Sequence, residues 1–504
     1  MHADQASAPA PGSGHFLGHP RLLWMLLFVT VWFNFAFYGF RAFLAPYAAD
    51  AFFAGLPQAE ALQQADLLFA GFGTLLYAVT ILGGWVADNV LGEVRALRLS
   101  LWLMIPALLG MAWPGREGFT MALAAFVLAA GLNIPLTVLV GRNYANDDPR
   151  REAGYTLYYL AINFGGFIAP FACASWIGAH YGYRWGFVAA AAGMLLGTLV
   201  FEWRQRRLPG ADDRPRLHRR WSTAAVVLAW LALIVPTGLL MAHSAVLHVA
   251  VYALMALLIV YFIASSVRRG DRVQGQRYIA LLLLFVALVA FWALSLLSAS
   301  ALNFFARDHV APLWQPFTVS LFGHAFTVAG WDFAMFQSVN PLYILVFAPF
   351  MAMLWPWLDK RRVNPSTPRK FGIGLLLVAL GYGVLWYAVA RLQLPDGRVA
   401  AWTLLAWYLC ATLGELALSP IGYALIGKLA APDETSLAMG GWFFGVGVSY
   451  DLSGQIAALT TAHGQTGIAG YAHVFEWLLI GGVAVAIIYL LAAPWIVKLM
   501  HGVR

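Results

Sequence analysis

Ionisable side chains are scarce in the long apolar runs of this 504-residue sequence, and three of them carry most of its chemical information: Arg41, Glu415 and Asp451. A charge at mid-membrane depth is costly unless it is paired or faces a cavity, so such groups mark function by default. Asn34, Tyr38 and Arg41 recur at i, i+4 and i+7 and share one helix face. With Thr30 above them they make a polar stripe suited to lining a cavity, or to hydrogen-bonding a neighbouring helix. The Arg41 guanidinium can grip a carboxylate bidentately. The Glu415 carboxylate can anchor an ammonium, take up a proton, or form a salt bridge to Arg41 or another helix. Asp451, in Ser449-Tyr450-Asp451-Leu452, is a candidate protonation site; the plainer reading is a hydrogen-bonded acid at a helix interface.

Other chemistries find little support. His218, His243, His248, His309 and His324 fall in loops or near segment ends without paired spacing inside a span. Cys173 and Cys410 lie in apolar runs, so no metal centre, disulfide framework or cofactor is expected. A polytopic membrane enzyme would need His, Asp or Ser groups converging at one membrane face, and the sequence offers none.

The elements that position these residues follow from composition. The chain is 61% hydrophobic and 11% charged, against roughly 25% charged residues in soluble proteins. A bilayer core about 30 Å thick takes about 20 apolar residues per helical crossing. Spans are expected near 22–46, 64–88, 97–114, 118–141, 155–178, 184–203, 222–241, 246–267, 277–305, 332–358, 370–391, 400–427, 436–461 and 470–498. Backbone groups in lipid must be satisfied internally, so the fold class is an all-α membrane protein of about fourteen transmembrane helices. Residues 1–21 read as a disordered tail, 22–203 as a six-helix bundle, 204–276 as a linker with two extra helices, and 277–504 as a second six-helix bundle. Below, spans are numbered one to twelve without the inserted pair. Two such bundles suit alternating access around a mid-membrane site.

Charge sets the orientation. With the N-terminus inside, Arg116, Arg184, Arg307, Arg391 and Arg398 are the outer members of 31 Lys and Arg, and Arg41 is within a helix. The other basic residues lie on the cytoplasmic side, as the positive-inside rule requires. The expected location is therefore a bacterial inner membrane, multi-pass, with both termini cytoplasmic. The basic runs 204–220 and 360–370 read as topology anchors and lipid headgroup contacts rather than a nucleic-acid surface. The 25-residue stretch 306–330 is the longest outer loop and reads as an interfacial cover.

Several motifs narrow the reading. Gly84-Trp-Val-Ala-Asp88-Asn-Val-Leu-Gly92 closes the second span and resembles the loop motif of the major facilitator superfamily. That resemblance implies a gating and structural role for Gly84, Asp88 and Gly92. Tyr38-Gly39-Phe40-Arg41, Ala153–Pro170, Phe336-Gln-Ser-Val-Asn340-Pro341, Leu413-Gly-Glu415-Leu-Ala-Leu-Ser-Pro420 and Met439-Gly-Gly-Trp442-Phe fall in that order along the chain. Together they resemble the proton-dependent oligopeptide transporter family, from about residue 24 to 498. The resemblance implies the major facilitator fold and a small-molecule, peptide-like substrate. It also implies a substrate cavity drawing on Asn34, Tyr38, Arg41, Tyr77, Asn133, Asn163, Asn340, Glu415 and Trp442.

The sequence departs from that family where charge is usual. The first-helix Glu-x-x-Glu-Arg-Phe pattern is replaced by Thr30-Val-Trp-Phe33-Asn34-Phe. Asn133 stands where peptide-carrying relatives have Lys, and the seventh span reads Phe291-Trp-Ala-Leu-Ser295-Leu296 without its acid. Losing the whole network avoids leaving one buried charge unpartnered. Arg41 then needs another partner: Glu415, Asp332, Asp308 or a bound anion. The expectation is a secondary transporter of small peptides or peptide-like zwitterions with altered proton coupling, Glu415 and Asp451 being the candidate proton carriers. The alternatives are a different cargo (an amino-acid conjugate, antibiotic or organic anion), uniport, or a non-transporting receptor.

Overall fold

In the computed structural model, described over residues 15–145, 148–211, 213–321, 324–460 and 467–503, the chain is helical almost throughout. Thirteen helices among the described residues are long and apolar enough to cross a bilayer. The 24-residue helix Thr435–Ala458 supplies the remaining expected span. Bounds follow hydropathy closely, as with Ser222–Ala242, Ser244–Arg269 and Ile468–Leu499, because an apolar run satisfies its own backbone hydrogen bonds only as a helix.

Departures occur where local backbone chemistry intervenes. The first span ends at Arg41 and a separate helix, Leu44–Phe52, follows. The fourth span breaks between Arg116–Gly131 and Pro135–Arg142, since Pro135 has no N–H to donate and disfavours helix in the residue before it. Asn133 lies in that break. In the fifth span the helix Arg150–Ala169 continues as a wide π-helical stretch, Pro170–Gly178, because Pro170 removes one ladder bond.

Two short hairpins were not expected. Residues 15–20, counted above in the disordered tail, form the pair His15–Phe16 and His19–Pro20. It is fastened by Trp24 Nε1 donating to the Phe16 carbonyl at 3.0 Å and by His19 meeting the Tyr144 hydroxyl at 2.6 Å. The tail's first fourteen residues lie outside the described residues. The outer loop contains the antiparallel strands Phe317–Leu321 and His324–Val328, with Thr318 opposite Thr327.

Compactness groups the chain differently from span order. One unit comprises Met1–Phe43 and Leu75–Ala242, the other Leu44–Thr74 and His243–Arg504. The inserted helices therefore separate, one to each unit, and the first half of the second span joins the later residues, because packing partners rather than chain order decide compactness.

In the first unit, the helix Arg21–Arg41 crosses Arg150–Ala169 and Tyr183–Arg204, with Phe40, Phe119, Phe126 and Phe187 clustered beside it. In the second, Thr367–Arg391 packs on Ala401–Leu429 and Ile468–Leu499. There Tyr382 meets Trp407 and Phe475 and donates to the Leu294 carbonyl at 2.6 Å. The inserted helices are 17% buried over their apolar windows, against 83% for Arg116–Arg142. Their open apolar faces belong in lipid.

Candidate functional site

In the first unit, the expected polar stripe is largely turned to its own helix. Thr30 Oγ1 donates to the Leu26 carbonyl at 2.8 Å, and Asn34 Nδ2 donates to the Thr30 carbonyl at 2.8 Å. Asn34 is buried where Gly165 lets the fifth span approach: a Cβ on Gly165 would stand 3.1 Å from that of Asn34. Asn163 likewise donates to the Tyr159 carbonyl at 2.9 Å. Arg41 lies with its guanidinium carbon 5.6 Å from the Tyr38 ring centre, a cation–π distance. Tyr77 is half-buried, its backbone carbonyl accepting from Thr80. Asn133 is buried in the break of the fourth span, and its Nδ2 has no hydrogen-bond partner among the described residues.

The loop motif is also in this unit. Gly92 takes φ +84°, a conformation that favours glycine. Asp88, expected to have a gating and structural role, is exposed; Gly84 is partly buried. Beside the motif, Glu93 forms an ion pair. Arg142 reaches Glu93 at 2.7 Å and Asp213 at 2.9 Å, while Arg95 donates to the Asp213 carbonyl at 2.9 Å. Glu93, Arg142 and Asp213, with Asp88, Gly92 and Arg214, line a cavity of about 330 Å³.

In the second unit, Asn340 Nδ2 donates to Glu415 Oε2 at 2.9 Å and to Thr412 Oγ1 at 3.0 Å. Two helices, Val339–Lys360 and Ala401–Leu429, thus converge on one carboxylate. Trp442 is 2% exposed, packed edge-on to Phe371 and tight over Gly422, so it is a wall rather than an open platform. Asp308, considered as a partner for Arg41, is engaged by Arg307 at 2.8 Å, and Arg307 also reaches Asp50 at 3.1 Å.

Asp451 is fully buried and hydrogen-bonded. His248, from the inserted helix Ser244–Arg269, contacts Oδ1, and Gln455 Nε2 donates to Oδ2 at 2.8 Å. Reading the histidines as isolated missed this, because the pair spans 203 residues and has no local spacing. A second missed cluster centres on Glu434, which accepts from Tyr261 at 3.0 Å, Ser265 at 2.6 Å and Tyr278, with Arg269 at 3.2 Å. Burial alone would raise its pKa, but hydrogen bonds from Ser265, Tyr278, Arg269 and Tyr261 outweigh that and hold it at about 2. Asp66, at the edge of the expected second span, is 1% exposed and was also missed. No group of three potential metal ligands occurs among the described residues.

Residues 116–474 match the POT family. The chain belongs to that family. It is 33% identical to the peptide transporter YePEPT of Yersinia enterocolitica, over 87% of this chain and 88% of that protein. It is 31% identical to YclF of Bacillus subtilis, an uncharacterized transporter, over 99% and 98%. Among solved structures, a mutant peptide transporter POT in complex with alafosfalin aligns with a TM-score of 0.81 and 30% identity, over 99% of this chain and 98% of that one. A POT family transporter in complex with 5-aminolevulinic acid aligns at 0.78 and 26%, over 96% and 98%. The chain is therefore a multi-pass membrane protein of a transporter family.

Proposed function

We propose that this POT family member is a secondary transporter of small peptides or peptide-like zwitterions, working by alternating access with its proton coupling displaced from the first helix. The observation that carries the reading is the Asn340–Glu415 contact. The contact orients the Glu415 carboxylate, the chemical group suited to meeting a substrate ammonium. Arg41 is the candidate for the substrate's anionic end. The basic bias of the expected inner loops supports an inner-membrane protein with both termini cytoplasmic. Support for a peptide cargo comes from relatives named as peptide and di-/tripeptide transporters.

A second cargo class is favoured by Asn133. Its buried, unpartnered Nδ2 is a neutral donor where the family resemblance implies a Lys. Such a donor suits a carbonyl better than a carboxylate, so substrates lacking a terminal carboxylate become acceptable. Uptake of labelled di- and tripeptides into proteoliposomes, with competition by amino-blocked and carboxyl-blocked analogues, separates the two. Absence of uptake, competition and thermal stabilisation with every di- and tripeptide removes the peptide reading.

A further inference from the structure

We infer that His248 and Asp451 form a single proton-binding site, which places the proton-coupling element of this protein in the inserted helix Ser244–Arg269. The inference deepens the displaced-coupling part of the reading above and rests on it for its transport arm.

The geometry defines what the site can hold. Asp451 is 0% exposed in the last third of Thr435–Ala458. Gln455 Nε2 can only donate, so Oδ2 is an acceptor atom, and Oδ1 faces His248 Nδ1. With the hydrogen of Nδ1 directed at the carboxylate, the remaining ring nitrogen, Nε2, carries a lone pair. One proton added there turns imidazole into imidazolium, and the pair goes from a net charge of −1 to 0. The two groups are in direct contact, so the added proton belongs to the pair.

Neutralisation by a proton fits the surroundings. No Lys or Arg pairs with Asp451 among the described residues, and a lone buried charge is unfavourable. Two ligating side chains are too few for a metal, whereas a proton needs one lone pair. The His248 side chain is 24% exposed against 1% for Asp451, and it sits four residues into its helix, so the imidazole is the entry point.

Other titratable groups around the pair are few. On the inserted helix these are Tyr252, whose hydroxyl accepts from Gln455 Nε2 at 2.9 Å, and His243 at the helix start. On Thr435–Ala458 itself, Tyr450 packs against Phe69 and Gly73. From residues 58–74 comes Asp66, whose backbone lies 3.5 Å from where a Cβ on Gly454 would stand; Tyr471 of Ile468–Leu499 lies beside Asp66. On Arg272–Leu296 the charges, Arg272 and Arg277, are at its first turns, far along the helix from this level.

The pair is also placed to act on packing. On Thr435–Ala458, Asp451 meets the inserted helix. Gly447 and Gly454, at i−4 and i+3 from Asp451, share its face and meet residues 58–74, with Thr74 Oγ1 donating to the Gly447 carbonyl at 3.0 Å. Loading and unloading the proton thus changes the charge beside a close contact made by small residues.

The test has two arms. In proteoliposomes, accumulation of a labelled dipeptide driven by an imposed inward pH gradient is compared for wild type, His248→Gln and Asp451→Asn, each scaled to counterflow in the same vesicles, which reports how much carrier is folded. A one-unit gradient coupled to one proton supports about tenfold accumulation, and both variants are expected to lose it. Unchanged gradient-driven accumulation in His248→Gln overturns the inference. Independently of any cargo, nitrogen-15 spectra of histidine-labelled protein follow His248, assigned by its loss in His248→Gln. Its ring nitrogens are expected to gain a proton as pH falls, and to do so at a different pH in Asp451→Asn. A His248 that does not titrate, or whose midpoint ignores Asp451→Asn, also overturns it. If wild type carries no peptide, the cargo reading falls while the spectra still decide the proton site.

Discussion

Asn340 and Glu415 are joined by a hydrogen bond of 2.9 Å between two helices whose sequences lie 75 residues apart. In the function proposed above, Asn340 is a positioning residue that aims the carboxylate. A hydrogen bond to a charged group is worth about 1.5–3 kcal/mol. Replacing Asn340 with Ala is expected to raise the apparent KM for peptides with a free amino group by roughly tenfold or more. Amino-blocked analogues should be affected far less. Uptake kinetics for the two substrate classes check this, and equal losses for both would show that Asn340 does not act through Glu415.

Glu434 gives a pH dependence with a definite sign. Its folded-state pKa is held at about 2, below its ordinary 4.5. The ionised form is therefore favoured by folding, so the stabilisation is complete above about 4.5 and is lost as pH falls from there towards 2. Melting temperature in detergent should decline over that window in wild type. Glu434→Gln, which leaves Tyr261, Ser265 and Tyr278 facing a neutral amide, should melt lower at neutral pH with a flatter acid limb. Parallel acid limbs for the two proteins would remove Glu434 as the cause.

Gly92 carries a backbone that other residues adopt at a cost of about 1–3 kcal/mol. A Cβ there would also stand 3.1 Å from the Asp213 carbonyl oxygen that Arg95 binds. Gly92→Ala should lower the melting temperature and reduce uptake together. A variant that melts and transports as wild type would show that the loop accommodates the strain.

The crossing of Thr367–Arg391 with Ala401–Leu429 depends on two glycines. A Cβ on Gly414 would lie 2.8 Å from the Gly374 carbonyl oxygen, a backbone atom that cannot turn aside. Gly414→Val should prevent this crossing and abolish folded protein on size exclusion. A monodisperse, active Gly414→Val protein would contradict the close approach.

Span positions were readable from sequence because hydropathy and bilayer thickness constrain the same length of chain. The breaks at 42–43 and 132–134 were not, since each turns on one or two backbone groups inside an apolar run. The residues singled out on charge fared unevenly for a related reason. Glu415 and Asp451 announced themselves as acids in apolar surroundings. Asn34 and Asn163 looked like cavity donors, yet each donates to the carbonyl four residues back, an option every short amide on a helix has. His248 could not be assigned by inspection. Its meaning depends on Asp451, and that contact exists only once the inserted helix is docked.

The inserted helix Ser244–Arg269 is held by polar contacts at both ends. His248 meets Asp451 near its start, and Ser265 and Arg269 meet Glu434 near its finish. Seventeen residues separate His248 from Ser265, a rise of about 26 Å. A rod pinned at two such points can neither roll nor slide, so its outward stripe, with Val249, Leu257, Val260 and Val267, keeps a fixed address in the bilayer. Those positions are exposed on this chain. They are free to interchange among apolar residues over generations, while the few polar pins bear the whole burden of keeping the helix in register.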